Sequence, residues 1–264
     1  PRKEMAPSPF PLPLITYVLN VMQFFLQNCI EKYRIYGELL NAYGYGVEQG
    51  AKSMEALNYY DNTMVTIPLD PTLSAGENAK KYFDKYQKLK RTYEALTTLT
   101  KETKEEIDHL ASVSTSLDIA LKEEALVQIK EELIESGYIR RKGGTKKERV
   151  TSKPFHYISS DGFHIYVGKN NYQNEELTFK FATGNDWWFH AKSVPGSHVI
   201  VKSNDSNGML PDKVFNQAAA LAAFYSKNKE VSGVEVDYTQ RRNLKKTPGG
   251  PPGFVIYHTY YSIA

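Results

Sequence analysis

A heptad repeat of apolar and aromatic residues constrains the fold of this chain more than any other feature. Two columns of positions spaced by seven residues hold an apolar or aromatic side chain at nine of their twelve places. The first column is Ala79, Tyr86, Tyr93, Thr100, Ile107 and Ser114, and the second is Tyr82, Leu89, Leu96, Thr103, Leu110 and Leu117. Ser74 and Glu77 have the spacing of a capping box in front of the repeat. The pattern predicts a long helix that packs along one strip against a second helix.

The expected partner of this helix is an earlier helical segment around residues 14–42. Glycine-rich turns and one strand-like run, Met64–Leu69, lie between the two helices. This connection is long enough for antiparallel pairing within one chain, so we expect a monomer, with a domain-swapped dimer as the alternative. After a looser stretch, another helix is expected from Asp118 to Ser136. Residues 1–140 are therefore predicted to form a helical coiled-coil arm with a small tip at about residues 43–73.

The apolar run Leu14–Leu26 raises the question of a membrane span or a signal peptide. It contains Asn20 and Gln23 and falls short of the ~20 clean apolar residues that a span requires. We therefore predict a buried or packed helix without a membrane span. Because Cys29 is the only cysteine, a disulfide scaffold is excluded, which suits a reducing compartment and favours a cytoplasmic protein.

Charge separates the two halves of the chain. Residues 1–140 carry 16 Lys+Arg and 20 Asp+Glu, net −4, whereas residues 141–264 carry 17 and 10, net +7. The excess positive charge of the second half favours an anionic partner. The alternative is that this charge serves solubility alone.

The second half changes to short β-rich runs separated by turns, with one amphipathic helix from Asp212 to Lys227. Asp161-Gly162 between two such runs indicates a β-hairpin. The predicted strands are Phe155–Ile158, Phe163–Gly168, Leu177–Phe181, Trp187–Ala191, His198–Lys202, Val234–Tyr238 and Phe254–His258. We therefore expect an α+β chain in which residues 141–264 form a basic α+β domain.

One segment of this domain, residues 183–201, concentrates chemically versatile side chains. Alternation along a strand would bury Trp187 on one side and turn Trp188 and His190 to the other. One interpretation is that the aromatic residues only anchor a core. The other is that Trp188, His190 and His198, together with Asp186, form a surface that recognises RNA by stacking on bases and donating to phosphate or ribose.

Catalysis is the less favoured interpretation of the same segment. Asp186, Ser197 and the two histidines supply the residue types of a catalytic triad, but no nucleophile-elbow glycine pattern surrounds Ser197. His190 and His198 lack an evident third ligand for a metal. We therefore expect binding without turnover, no cofactor, no metal and no small-molecule substrate.

Another segment of this domain, residues 237–253, is basic. It places four cations within six residues beside a loop rich in glycine and proline. These cations are Arg241, Arg242, Lys245 and Lys246. Guanidinium groups bind two phosphate oxygens at once, and glycines allow close approach of the backbone. The segment predicts a phosphate-binding element, with a solvated charge run as the alternative.

These segments together resemble the NFACT family. The block Gly184–Ala191, the run Pro195–Val199 and the tail Arg241–Gly253 look like its NFACT-R domain. Upstream, Lys32–Leu40 and Asn58–Asp61 resemble the coiled-coil middle region of bacterial members. The similarity runs from about residue 31 to the end of the chain.

The resemblance implies a role in ribosome-associated quality control. Family members bind large ribosomal subunits obstructed by peptidyl-tRNA and bring alanyl-tRNA for template-free alanine tailing. The resemblance thus implies the large ribosomal subunit and tRNA as partners. Members in Gram-positive cocci are also described as surface adhesins that bind fibronectin, which gives an alternative partner and an alternative location at the cell surface. No counterpart of the family's N-terminal domain is recognised here, so we expect a fragment without full tailing activity.

Overall fold

The computed structural model describes residues 12–141, 152–203 and 209–264. The helices are α1 (Leu12–Tyr43), α2 (Ala75–Ile119), α3 (Glu123–Glu135), α4 (Asn171–Glu176) and α5 (Asp212–Phe224). The strands are β1 (Ser53–Asn58), β2 (Thr63–Pro68), β3 (Phe155–Ile158), β4 (His164–Val167), β5 (Trp187–Ala191), β6 (Val199–Val201), β7 (Val236–Gln240), β8 (Lys245–Lys246), β9 (Val255–Ile256) and β10 (Tyr261–Ile263). Helices combined with antiparallel sheets make an α+β fold, as predicted.

Two compact units divide the chain, Pro1–Thr103 and Lys104–Ala264. The division falls within α2, so this helix contributes residues to both units. The boundary between residues 140 and 141 that the charge pattern suggests stays a prediction.

In the first unit, α1 and the beginning of α2 pair antiparallel. Leu40, near the end of α1, shares a buried cluster with Ala79, near the start of α2. Earlier in α1, the ring of Tyr33 lies 5.2 Å from the ammonium group of Lys85, further along α2. The contacts therefore run in opposite directions along the two helices.

The connection between these helices contains a two-stranded hairpin rather than the single strand-like run expected. β1 pairs with β2 from Ser53 opposite Pro68 to Asn58 opposite Thr63. Every second residue of β1 is buried, namely Met54, Ala56 and Asn58. The charged Glu55 in β1 obscures the strand pattern in the sequence, although it occupies the exposed position of an ordinary half-buried strand.

The predicted start of α2 is confirmed by its hydrogen bonds. The amide of Glu77 donates to Ser74 Oγ at 3.3 Å, and the amide of Ser74 donates to Glu77 Oε2 at 2.8 Å. These reciprocal bonds are those of a capping box and satisfy two amides at the helix N-terminus.

The heptad columns are buried or half-buried from Ala79 to Thr100 and then lose register. Beyond that point Leu110 and Leu117 are exposed, while His109 and Val113 are buried. The predicted strip is therefore wrong after residue 107, because this part of α2 belongs to the second unit and packs within it. The expected start of the next helix at Asp118 is also wrong, since α2 is continuous to Ile119 and α3 begins at Glu123.

The N-terminal run is helical as predicted, but its described side chains are not buried. Phe24 and Phe25 are each 64 % exposed, and Met22 and Val18 are exposed as well. Long apolar side chains at adjacent positions, such as Phe24 and Phe25, cannot all face one packing partner on a helix. Among the helices described, none is both long and apolar enough for a membrane span.

The second unit is built on a six-stranded antiparallel sheet in the order β10-β7-β5-β6-β4-β3. Helix α5 covers one face through Val214, Ala218 and Ala222, which pack on Phe189 and its neighbours. The opposite face is covered by a second cluster that includes Trp188, Ile200 and Leu244. Strand β5 therefore lies in the middle of a three-layer arrangement.

One predicted strand on that second face is helical. Leu177–Phe181 forms a π-helical turn that continues α4. Its apolar residues match a strand pattern, but Asn170 caps the helix by accepting from the amide of Gln173 at 3.0 Å, and the helical path then continues through Leu177. Leu177 and Ala182 pack against Trp188.

Candidate nucleic-acid interface

The aromatic block predicted from the sequence lies on β5, where both faces of the sheet are covered. Trp187 packs towards α5 and Trp188 towards the opposite cluster, so the predicted alternation is correct. Trp188 is nevertheless 0 % exposed, and His198 is buried as well. The expectation that these two rings form an open surface for base stacking is therefore not met, because a further layer of chain covers that side of the sheet.

Asp186 is buried and accepts hydrogen bonds within the fold, so it does not belong to the exposed RNA-recognition surface that the sequence predicts. Its Oδ2 accepts from the amide of Thr183 at 2.6 Å and from the ammonium group of Lys202, and its Oδ1 accepts from the amide of Ser203 at 2.9 Å. Burial acts to raise the pKa of Asp186, but these hydrogen bonds outweigh burial and lower it. Asp186 thus holds two chain segments together as a carboxylate.

His190 and His198 are held as neutral imidazoles. Burial lowers the pKa of His190 to about 4, and burial together with the nearby His190 lowers the pKa of His198 well below its ordinary value. His198 Nδ1 lies 2.7 Å from Thr178 Oγ1, and its backbone amide donates to Asn174 Oδ1 at 3.0 Å. Both rings remain uncharged at neutral pH, and both make hydrogen bonds within the fold, His198 with Thr178 and the backbone of Gly253 and His190 with the backbone of Gly196.

These rings line a cavity of about 300 Å³, here called the aromatic pocket and defined by Trp188, His190, His198 and Tyr257. The Trp188 and His190 rings are stacked with centroids 5.6 Å apart, and Tyr257 lies 5.2 Å from Trp188. The remaining lining comes from Asp108, Ser112, Asn171, Asn174, Ser193, Val194, Pro195, Gly196, Gly253, Phe254 and Val255. An apolar cavity with a few convergent polar groups is the usual form of a ligand site.

Two local features mark this pocket as specialised. The indole Nε1 of Trp188 is buried and has no hydrogen-bond partner among the described residues, although a buried unpaired donor costs about 1–3 kcal/mol. Ser193 at the rim has φ 57°, in the left-handed region that favours glycine. Costs of this kind often accompany functional sites.

The predicted phosphate-binding segment, here called the basic loop and defined by Arg241, Arg242, Lys245 and Lys246, begins at the end of β7. The amide of Arg241 donates to the carbonyl of Asp186 at 2.8 Å, and the amide of Arg242 donates to the carbonyl of Gly184 at 3.2 Å. The two segments singled out separately in the sequence therefore lie side by side.

The four cations of the basic loop are not equivalent. Arg241 is half-buried, and its Nε donates to the carbonyl of Thr178 at 3.0 Å, so it stabilises the fold. Arg242 and Lys245 are exposed, and Lys246 is exposed while forming an ion pair with Glu175 at 2.8 Å. Arg242 and Lys245 are the best placed to meet phosphate.

Strands β8 and β9 connect the basic loop to the aromatic pocket. Lys246 pairs with Val255, which lines the pocket, and Leu244 packs in the same cluster as Trp188. A polyanionic chain bound along the cations would thus pass beside the rim of the pocket.

A cluster of buried carboxamides supports the pocket and was missed in the sequence. Asn170, Asn171, Gln173 and Asn174 are all buried at the start of α4. Asn171 Nδ2 donates to Glu132 Oε1 at 2.7 Å, which links α4 to α3. Four carboxamides within five residues are an unusual density that could have drawn attention to this segment.

The serine and histidine that could belong to a catalytic triad make hydrogen bonds to other groups and not to each other. Ser197 Oγ is buried and donates to the carbonyl of Gly168 at 2.5 Å, while His198 Nδ1 faces Thr178. Within the described ranges, no group of three or more histidine, cysteine, aspartate or glutamate side chains could hold a metal ion. The geometry supports recognition of a partner through exposed cations and a pocket whose two histidines are neutral.

Two family models match the chain in sequence. Residues 26–152 match the NFACT N-terminal and middle domains, and residues 153–258 match the NFACT protein RNA binding domain. The second match contains the four residues that define the aromatic pocket and the four cations of the basic loop, whereas the lining residues Asp108 and Ser112 lie in the first match.

Proteins similar in sequence to this chain point to the same family. The chain is 44% identical over 228 residues to an Rqc2 homolog, RqcH, of Streptococcus pneumoniae, covering 86% of this chain and 40% of that protein. It is 39% identical over 238 residues to RqcH of Bacillus subtilis, covering 88% and 41%. The chain thus spans about two fifths of the length of these curated relatives.

A solved structure covers nearly the whole chain. The C-terminal part of the fibronectin/fibrinogen-binding protein FBPS from Streptococcus suis matches with a TM-score of 0.65 and 37% identity, covering 94% of this chain and 93% of that one. Family models and relatives agree on the same assignment. The chain therefore belongs to the NFACT family and carries the segment that matches its RNA-binding domain.

Proposed function

We propose that this chain is the RNA-binding part of a ribosome-associated quality control factor. In this role it engages large ribosomal subunits obstructed by peptidyl-tRNA, together with the tRNA used for alanine tailing, in the cytoplasm. It binds these partners without catalysing a reaction of its own. The names of the RqcH relatives and the match to the family's RNA-binding domain support this role.

The observation that carries the proposal is the exposure of Arg242 and Lys245 on the segment that matches the RNA-binding domain. Neither side chain is paired with a carboxylate in an ion pair described for this structure, whereas Lys246 is paired with Glu175. Arg242 donates to the neutral side chain of Gln240 and so keeps its net charge. Cations without a carboxylate partner on an exposed loop displace counterions from a phosphate backbone, which gives affinity that depends on salt.

We expect the double substitution Arg242→Gln/Lys245→Gln to weaken binding to tRNA and to large ribosomal subunits. Each lost phosphate contact should reduce the slope of log affinity against log salt concentration by about 1, so the double variant should reduce it by about 2. Affinities measured by fluorescence anisotropy for tRNA and by pelleting for subunits, over a salt series, would give this slope.

The matched control is Lys213→Gln/Lys229→Gln, which removes the same charge from two other exposed positions of the second unit. Lys213 lies on α5, on the opposite face of the sheet from the aromatic pocket. The control should leave the slope close to that of the unaltered chain. Equal slopes for all three proteins would contradict the assignment of the basic loop.

The second candidate function is adhesion through fibronectin, which the name of the Streptococcus suis neighbour suggests. The same salt series with immobilised fibronectin separates the two functions. Fibronectin binding that persists at salt concentrations where RNA binding is lost would favour adhesion. Steep salt dependence with preference for the ribosomal ligands would favour quality control.

A further inference from the structure

We propose that the aromatic pocket binds one unpaired nucleobase of the RNA, and that it prefers a base with an exocyclic amino group. This inference rests on the proposed function and deepens it, because it assigns base recognition to a site separate from the phosphate contacts of the basic loop.

The size of the pocket sets the first limit on its ligand. Its volume of about 300 Å³ lies at the lower end of the range of ligand sites, which is about 300–1,000 Å³. A single heteroaromatic ring system fits such a space, whereas a duplex does not. Unpaired bases in loops and at strand ends are the usual targets of sequence-specific RNA recognition.

The lining of the pocket favours a flat, polar ring. His190 and Tyr257 are half-buried and line the pocket on either side of Trp188, with ring centroids 5.6 Å and 5.2 Å from the Trp188 ring. Aromatic rings such as these two pack well against a nucleobase. Trp188 is fully buried and carries the indole donor that lacks a partner. A fully buried side chain does not contact the base directly, so Trp188 forms the inner wall of the pocket behind the half-buried rings.

The charge of the pocket argues against phosphate as its ligand. The two histidines are neutral, and among the described residues of the lining only Asp108 has a charged side chain. An acidic side chain repels phosphate but accepts a hydrogen bond from an exocyclic amino group. Adenine, cytosine and guanine carry this group and uracil does not.

The position of the pocket allows one RNA strand to be bound both through its phosphates and through one of its bases. Val255 lines the pocket, and its strand partner Lys246 belongs to the basic loop. A strand whose phosphates follow Arg242 and Lys245 can therefore turn one base inward. Affinity then comes from the cations and base preference from the pocket.

Binding of short single-stranded RNAs of adenine, cytosine or uracil to the full chain tests this inference. We expect oligo(A) and oligo(C) to bind roughly tenfold more tightly than oligo(U), the size of effect expected from one specific base contact. The variant Asp108→Asn should reduce this preference at least threefold while leaving the salt slope unchanged. Arg242→Gln/Lys245→Gln should weaken all three oligonucleotides alike and keep the preference.

A second measurement does not depend on the phosphate contacts. The indole N–H resonance of Trp188, distinguished from that of Trp187 by a Trp187→Phe variant, should shift when free adenosine is added and should shift less with uridine. Equal affinity for the three oligonucleotides together with an unmoved indole resonance would overturn the nucleobase site. Absence of salt-dependent RNA binding with a resonance that still responds to adenosine would instead overturn the proposed function and retain the pocket.

Discussion

Replacement of Glu132 with alanine should lower the free energy of unfolding by about 2–5 kcal/mol, because it removes a fully buried side chain together with its hydrogen bonds. Glu132 is 0 % exposed, and its Oε1 lies 2.9 Å from His109 Nε2 while accepting from Asn171 at 2.7 Å. These three residues belong to α3, α2 and α4. The substitution removes one hydrogen-bond partner from each of two buried polar groups and opens a cavity between three helices.

Urea unfolding followed by circular dichroism would measure this loss. Glu132→Gln keeps an acceptor in place of Oε1 and should cost less than the alanine variant. Glu124→Ala on the same helix is the matched control, since Glu124 is exposed and its removal should cost at most about 1 kcal/mol. A loss below about 1 kcal/mol for Glu132→Ala would show that this network does not stabilise the second unit.

Asp186→Ala should cost about 3 kcal/mol at pH 7, since it leaves the amides of Thr183 and Ser203 and the ammonium group of Lys202 without their buried acceptor. The pKa of Asp186 is lowered in the folded protein. The carboxylate therefore stabilises the fold fully above its unfolded pKa of about 3.9, and this stabilisation is lost as the pH falls through the lower folded pKa.

Unfolding free energies of the unaltered chain and of Asp186→Ala, measured between pH 7 and pH 3, would test whether the stabilisation by this carboxylate decreases in acid. The difference between them should be largest near neutrality and should shrink in acid. Asp161→Ala is a suitable control, because Asp161 is exposed in the turn between β3 and β4. A difference that grows on acidification would show that Asp186 acts as a neutral acid in the fold.

The long helices could be predicted because their signals are local. The capping box at Ser74 and Glu77 and the apolar spacing up to Thr100 depend only on residues within a few turns. The loss of register beyond residue 107 could not be predicted, since it arises from packing against α3 and α4 in another unit. Periodicity in one helix does not identify the surface that it meets.

The candidate site could be located but not interpreted from the sequence. The two segments that contain it were both singled out, and the structure joins them through the amides of Arg241 and Arg242. The sequence left open whether Trp188 is buried in a core or exposed, because the segment that covers it, Leu177–Phe181, has the composition of a strand and folds as a helical turn. The burial of Asp186 was missed because its partner Lys202 is distant in sequence.

The central position of β5 in the sheet also determines how rigid the wall of the aromatic pocket is. This strand is hydrogen-bonded to β6 on one side and to β7 on the other, and it carries Trp188 and His190. Its amides should therefore exchange with solvent only when the whole second unit unfolds. The walls that β5 contributes are then as rigid before binding as after it, so a ligand loses no free energy to ordering them.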